Sequence, residues 1–369
     1  MSQKIIIGEN SYKKISEILD EISAKKFLLV CESWIENTPV MQNLKEKDLQ
    51  WVKFTDFTPN PTYEQVCEGV KVFNENGCDA IVSIGGGSTI DVSKCIKLFA
   101  KMKNDEIYLN QEYTDSKIPL ISMPTTAGTG SESTRFAVIY YNNTKQSVTH
   151  DSIVPDFAIL DSGFLATLPK YQKICTMLDA LCQAIESWWS VNSNDESIEY
   201  SQKAIDLIMQ NLRLYIEENS PEAADKIMLG ANFAGRAINL TTTTAAHAMS
   251  YKLTSMYGLP HGHAVAICLP KVWNFMLENM DCCIDKRGCN YLSGVFEDIA
   301  HRIFETDAKN AVKMFEEMIK DLGIGNPVSE NKESDIDILV SSVNVTRLSN
   351  NPARPSEEHL KKMYEEIVK

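Results

Sequence analysis

Apolar positions in the first half of the chain fall in short runs separated by stretches of helical period. KFLLVCES (26–33), WVKFTDF (51–57), CDAIVSIGGGS (78–88), IPLISMPTT (118–126) and RFAVIYYNN (135–143) are rich in β-branched and aliphatic residues. Each predicts a strand, and Ile5–Ile7 predicts a first one ahead of them. Between two of these runs, Val66, Val70 and Phe73 recur at i, i+4 and i+7, which predicts an amphipathic helix over 63–76. Strand alternating with helix implies a parallel sheet covered on both faces. After about Leu168 the strand signals nearly vanish. Segments 171–192, 196–218, 222–256, 262–279, 292–303, 308–322 and 356–368 all carry helix-compatible patterns. The expected organisation is an α/β domain at 1–168 followed by an all-α domain at 169–369, with the boundary near Leu168-Pro169.

Composition narrows the function classes. At 369 residues and 44% hydrophobic, the chain has enough material for two cored domains. No apolar run approaches the roughly 18 residues that would suggest a membrane span, and MSQKIIIGENSYKK lacks a signal-peptide pattern. A cytoplasmic protein is expected. The net charge of −14 argues against a nucleic-acid partner and repels anionic substrates at long range, so any such substrate requires a local basic pocket. The 10 cysteines show neither a disulfide framework nor a CxxC pair and are expected to be reduced thiols. Cys282, Cys283 and Cys289 cluster, but without metal-ligand spacing.

Two loops carry nucleotide chemistry. IVSIGGGSTIDVSK (81–94) runs from strand through Gly85–Gly87 into a helix beginning near Ser88, whose free N–H groups suit a diphosphate. By itself this signal is weak. MPTTAGTGSES (123–133) is a second loop directly after a strand, crowded with Thr125, Thr126, Thr129 and Ser131. Both belong at the carboxyl edge of one sheet, where nucleotides bind in Rossmann-like domains. Glu32 closes an earlier strand and can accept a ribose 2′-hydroxyl; it would repel a 2′-phosphate, favouring NAD(H) over NADP(H).

A second constellation suggests a metal. HAMSYKLTSMYGLPHGHAVA (247–266) holds three of the chain's 6 histidines. On one straight helix His247 and His261 would stand about 21 Å apart, but a break at Gly258-Leu259-Pro260 lets them converge. In MLDALCQAIESWW (177–189), Asp179 and Gln183 share a helix face at i, i+4 and need a partner if buried.

Taken in order, Gly85–Asp91, PTTAGTGSE (124–132), LDALCQAIE (178–186), the two histidines ending in PHGHA, and NNPARPSEEHL (350–360) resemble the iron-containing (group III) alcohol dehydrogenase family over nearly the whole chain. The resemblance implies a dehydroquinate synthase-like fold, a nucleotide-binding α/β domain before a helical one, and a divalent metal, Fe²⁺ or Zn²⁺. It implies Asp179, residue 183, His247 and His261 as metal ligands. It places Gly86, Gly87, Ser88, Asp91, Thr125, Thr126, Thr129 and Lys145 at the dinucleotide. It also implies a homodimer or larger assembly.

Two positions depart from the family pattern. Gln183 stands where a histidine ligand is usual, and its neutral amide oxygen binds Fe or Zn more weakly. Tyr251 replaces a further histidine, leaving Tyr251 and His263 as candidates for proton transfer. The segments 179–197 and 234–266 resemble the phosphonoacetaldehyde reductase branch. On a continuous helix Arg236, Thr243 and His247 would share a face and, with Lys252, supply the anion pocket. The expected reaction is NAD(P)H-dependent, metal-assisted reduction of a small aldehyde, phosphonoacetaldehyde first. A general short-chain alcohol dehydrogenase is the alternative; a metal-independent reductase and a dehydroquinate synthase-like lyase are more distant ones.

Overall fold

The computed structural model describes residues 3–47, 49–142, 144–343 and 348–369. Its internal contacts separate Met1–Thr167 from Leu168–Lys369.

In the first unit the strands are β1 (Lys4–Ile7), β2 (Phe27–Cys31), β3 (Trp51–Phe54), β4 (Ala80–Gly85), β5 (Leu120–Pro124), β6 (Phe136–Tyr141), β7 (Thr144–Thr149) and β8 (Phe157–Leu160). Six of them form a parallel sheet in the order β1-β8-β5-β4-β2-β3. Every residue of β2, β4, β5 and β8 is buried, as expected of strands covered on both faces. One face packs Leu28, Val30, Ile81 and Leu120; the other packs Leu29, Val82, Ile84 and Ile121. The crossing helices are α1 (Ile15–Glu21), α2 (Pro39–Glu46), α3 (Tyr63–Glu75) and α4 (Gly87–Phe99). Thr62 and Gln65 form a reciprocal capping box that starts α3. Register pairs Cys31 with Ile84 and Gly85 with Pro124, so β2, β4 and β5 end at one edge. Glu32 and both glycine- and threonine-rich loops follow from that edge.

The predicted strand over 135–143 does not join this sheet. β6 pairs antiparallel with β7 in a separate two-stranded ribbon, and Asn143, the end of that prediction, lies outside the described residues. In β6 only Ala137 and Ile139 are buried, the alternation of a strand covered on one side rather than on both.

The second unit contains α5 (Lys170–Trp189), α6 (Asp195–Glu217), α7 (Pro221–Thr241), α8 (Ala245–Tyr257), α9 (His261–Glu278), α10 (Cys289–Phe304), α11 (Ala308–Asp321), α12 (Lys332–Ser342) and α13 (Glu357–Ile367). Among the described residues no helix is long and apolar enough to cross a membrane. The expected single helix over 222–256 is two helices. It breaks at Thr242, which adopts φ 61. Four successive threonines, Thr241–Thr244, β-branched and with competing hydroxyls, make that stretch a poor helix interior.

Candidate functional site

Three helices of the second unit meet around a cluster of polar side chains. On α5, Asp179 and Gln183 lie one turn apart and both are buried. α8 carries His247 in its first turn, also buried. Gly258 ends α8, and Pro260 leads directly into His261, the first residue of α9. A Cβ on Gly262 would stand 1.8 Å from the Cys175 carbonyl oxygen of α5. Only glycine therefore lets the start of α9 press against the α5 backbone, and this approach carries His261 to Asp179.

The resulting geometry is tight. His247 Nε2 is 3.3 Å and His261 Nε2 3.9 Å from Asp179 Oδ1. One ligand atom from each of Asp179, His247 and His261 lies within 4.8 Å of the others. Gln183 reaches the Asp179 carboxyl as a hydrogen-bonding neighbour. The two imidazole rings meet edge to face at 5.4 Å, and Tyr251, one turn beyond His247, stacks on His261 at 5.5 Å and 9°.

Asp179 Oδ1, Gln183 Oε1 and His247 Nε2 are buried atoms without a hydrogen-bond partner among the described residues. Three such orphans in one place are costly unless a cation satisfies them together. The donor set of one carboxylate, one amide oxygen and two imidazoles suits a divalent transition metal. Electrostatics agree. Burial opposes ionisation of Asp179, yet the adjacent His247 and His261 hold its carboxyl below the usual range. Burial likewise disfavours a His247 imidazolium, but Glu186 and Asp179 outweigh it and raise the group to about 9. The site is built to hold positive charge.

Glu186 escaped the sequence analysis. It is fully buried, and its Oε2 accepts from His247 Nδ1. Its Oε1 accepts from the backbone N–H of Thr244 (3.1 Å), Ala246 (3.1 Å) and His247 (3.3 Å) and from the Thr244 hydroxyl (2.6 Å). One carboxylate thus caps α8 and fixes the tautomer of the neutral His247 ring that can bind a metal, with Nδ1 protonated and Nε2 turned toward Asp179. A signal existed: Asp179, Gln183 and Glu186 are polar residues at i, i+4, i+7 on an otherwise buried apolar helix.

The other predicted substrate and proton-transfer residues fare differently. Because α7 and α8 are separate helices, Arg236, Thr243 and His247 do not share a helix face. Arg236 lies over the rings of Tyr200 (5.7 Å) and Phe233 (5.9 Å). Thr243 is in the break, where its carbonyl accepts from Asn350 Nδ2 at 3.5 Å. Lys252 is half-buried on α8, and its ammonium has no ion pair among the described residues. His263 is held at both nitrogens, Nδ1 by the Tyr171 hydroxyl and Nε2 by the Gly325 carbonyl, each at 2.6 Å. Nε2 must then carry the proton and Nδ1 accept from Tyr171, so the ring is a buried structural link rather than a proton donor.

In the first unit the two loops touch. A Cβ on Gly87 would meet Thr129 at 2.9 Å, and one on Gly86 would meet Thr126 at 3.7 Å. Thr125 N–H donates to Gly85 O at 3.0 Å. α4 begins without a side-chain cap, leaving its first N–H groups for a ligand. Glu32 Oε2 accepts from the Trp34 indole at 3.0 Å, and Ser88 Oγ accepts from Asn60 N–H at 3.4 Å.

Asp91 and Ser131 build the loop from beneath. Ser131 Oγ donates to Asp91 (2.7 Å), which also accepts from Val138 N–H (3.0 Å). Lys94, another residue not anticipated, is fully buried; its ammonium donates to Ser131 Oγ, Thr134 Oγ1 and Phe136 O at 2.7–3.0 Å. Burial brings Lys94 down to about 8 against the opposing pull of Asp91. Lys145, on β7, is close enough for its charge to act on Asp91.

Comparison with known proteins shows the family. Residues 2–162 match the family described as iron-containing alcohol dehydrogenase, and 173–368 match its Fe-containing C-terminal counterpart. The chain is 31% identical over 349 residues to the NAD-dependent methanol dehydrogenase of Bacillus methanolicus, covering 91% of this chain and 90% of that one. It is 32% identical over 297 residues to the phosphonoacetaldehyde reductase of Streptomyces viridochromogenes, covering 76% and 74%. Among solved structures, sulfoacetaldehyde reductase from Bifidobacterium kashiwanohense in complex with NAD⁺ superposes with a TM-score of 0.89 at 26% identity, covering 99% and 96%. The chain belongs to the iron-containing alcohol dehydrogenase family of oxidoreductases that interconvert aldehydes and alcohols.

Proposed function

We propose that this enzyme uses NADH to reduce a two-carbon aldehyde bearing an anionic group, with phosphonoacetaldehyde as the first candidate. The observation that carries the redox assignment is the convergence of Asp179, Gln183, His247 and His261, with three of their buried polar atoms left without a hydrogen-bond partner among the described residues. These four side chains would hold the metal. Bound there, a divalent cation supplies Lewis-acid polarisation of a carbonyl oxygen, while a bound dinucleotide supplies the hydride.

The protein's own groups do the rest. Glu186 keeps the His247 lone pair directed inward. Gly86, Gly87 and Ser88 at the start of α4, with Thr125, Thr126 and Thr129 across from them, cradle the diphosphate. Asp91, Ser131, Lys94 and Lys145 brace that second loop, and Glu32 meets the adenosine ribose and disfavours a 2′-phosphate. Tyr251, stacked on His261, delivers the proton to the developing alkoxide.

Two relatives named for anionic two-carbon aldehydes support the substrate class. Of the two basic residues read from the sequence, Arg236 lies over two rings, and we assign the anionic group to Lys252, half-buried on α8. The test is NADH oxidation by metal-loaded enzyme with phosphonoacetaldehyde, sulfoacetaldehyde, acetaldehyde, propionaldehyde and lactaldehyde. The expected result is a kcat/KM at least about tenfold higher for the anionic pair, a preference of about 1.4 kcal/mol, and loss of all turnover on chelation. Equal values for charged and uncharged aldehydes would remove the anion assignment. Turnover surviving complete metal removal would overturn the metal-assisted reaction.

A further inference from the structure

The cysteine cluster that the sequence analysis set aside has a definite geometry. The chain leaves α9, makes a short turn over Met280–Cys282, and reaches Cys289 as the first residue of α10. Cys289 is the exposed one of the ten cysteines; Cys283 is half-buried, and six others are buried. Both residues converge on one backbone atom: the Met280 carbonyl accepts from Cys283 N–H at 3.1 Å and from Cys289 Sγ at 3.4 Å. The Cys289 thiol is close enough to act on Cys283, whose own thiol burial pushes up.

The five residues between them form a clamped turn. Gly288 N–H donates to Asp285 O at 2.9 Å. Asp285 is buried against the Arg287 guanidinium, which also donates to Ser190 O (2.8 Å) and Ser193 O (3.1 Å). These bonds tie the turn between the two cysteines to the segment that follows α5. Cys289 is open to a disulfide reagent, and Cys283 lines a surface depression with Cys282, Asp281 and Arg354.

We propose that Cys283 and Cys289 are a modification site, a preorganised dithiol that closes to an intrachain disulfide on exposure to a small disulfide oxidant. The Cys289 thiolate attacks one sulfur of glutathione disulfide, forming a mixed disulfide and releasing one glutathione thiolate. The Cys283 thiolate then attacks the Cys289 sulfur, forming the intrachain S–S bond and expelling the second glutathione. Two protein thiols lose two electrons and two protons, and one glutathione disulfide becomes two glutathiones.

The site has a physical connection to α8. Cys283 bridges Ala353 in antiparallel fashion, Ile284 N–H donates to Pro352 O (2.8 Å), and Arg354 N–H donates to Cys282 O (3.0 Å). Two and three residues before Ala353, Asn351 Oδ1 accepts from Ala245 N–H at 3.4 Å, and Asn350 Nδ2 donates to Thr242 Oγ1 at 2.5 Å. Closing the disulfide therefore acts on the same segment that holds the first turn of the helix bearing His247.

The experiment treats native, metal-loaded enzyme with glutathione disulfide and follows it by thiol titration and peptide mapping under non-reducing conditions. The expected result is loss of two thiols per chain and one Cys283–Cys289 cross-link, reversed by dithiothreitol. Cys282→Ser should still close, whereas Cys283→Ser should stop at a stable glutathione adduct on Cys289. A stable adduct on Cys289 in the unaltered enzyme, a Cys282–Cys289 link, or no reaction at Cys289 would each overturn the proposal. These readouts do not depend on which aldehyde the enzyme reduces.

Discussion

Replacing His261 with alanine is expected to release the metal and lower kcat/KM at least about a thousandfold, equivalent to about 4 kcal/mol of barrier. His261 is the ligand whose loss should disturb the fold least. Its side chain is 34% exposed, whereas Asp179 and His247 are almost wholly enclosed. Besides coordination it gives up ring contacts with Tyr251 and His247, such a pair being worth about 0.5–1.5 kcal/mol. The metal-free melting temperature should therefore fall by no more than about 4 °C. Elemental analysis with thermal denaturation checks both halves. A variant that kept full metal while losing activity would mean that His261 acts in proton transfer rather than as a ligand.

Glu186→Gln should fail in the opposite pattern, losing stability as well as metal. The carboxylate satisfies three backbone N–H groups and a hydroxyl at the start of α8 while accepting from His247 Nδ1. A glutamine keeps one oxygen for those donors, and its amide NH₂ must then face Nδ1. The imidazole answers by moving its proton to Nε2, the atom aimed at the site, where it blocks coordination. Metal affinity should fall about 10–100-fold, the usual consequence of removing a histidine's orienting partner. Unfolding free energy should fall by about 1–3 kcal/mol, from weakened charge-assisted bonds to buried donors. Metal titration alongside denaturant unfolding separates the two effects. Unchanged affinity with lowered stability would show that Glu186 only caps α8.

How far the sequence could have led depends on which physical signal each feature leaves. The central strands were legible because burial on both faces produces unbroken runs such as FLLVC and AIVSIG. β8 was missed because FAIL is only four residues long, with no periodicity to reveal it. The proposed ligand set stood out because Gly258 and Pro260 divide two histidines, and because an acid and an amide lay one turn apart on an apolar helix. Glu186 left the same kind of trace, at i+7 from Asp179, and could have been included with them.

The α7–α8 break was misread for a different reason. Thr241–Thr244 can end a helix or continue one, and tertiary partners decide. Ser187 Oγ accepts from Thr241, the Trp189 indole donates to Thr244, and Glu186 takes the released N–H groups. All of these come from α5, more than fifty residues earlier. Arg236 followed from that error, since its assignment to an anion pocket rested on helical phase carried across the break. His263 shows the remaining difficulty: a histidine beside a ligand motif has the right chemistry for proton transfer, yet Tyr171 and Gly325 occupy both nitrogens.

The central claim is that Asp179, Gln183, His247 and His261 enclose a single divalent cation. Anomalous X-ray scattering at the iron or zinc edge, on crystals grown from metal-loaded enzyme, measures this directly. The account predicts one strong peak about 2.0–2.2 Å from an Asp179 oxygen and from the Nε2 atoms of both histidines, with Gln183 Oε1 completing the set. A peak elsewhere, or well-ordered ligands with no peak between them, would contradict it.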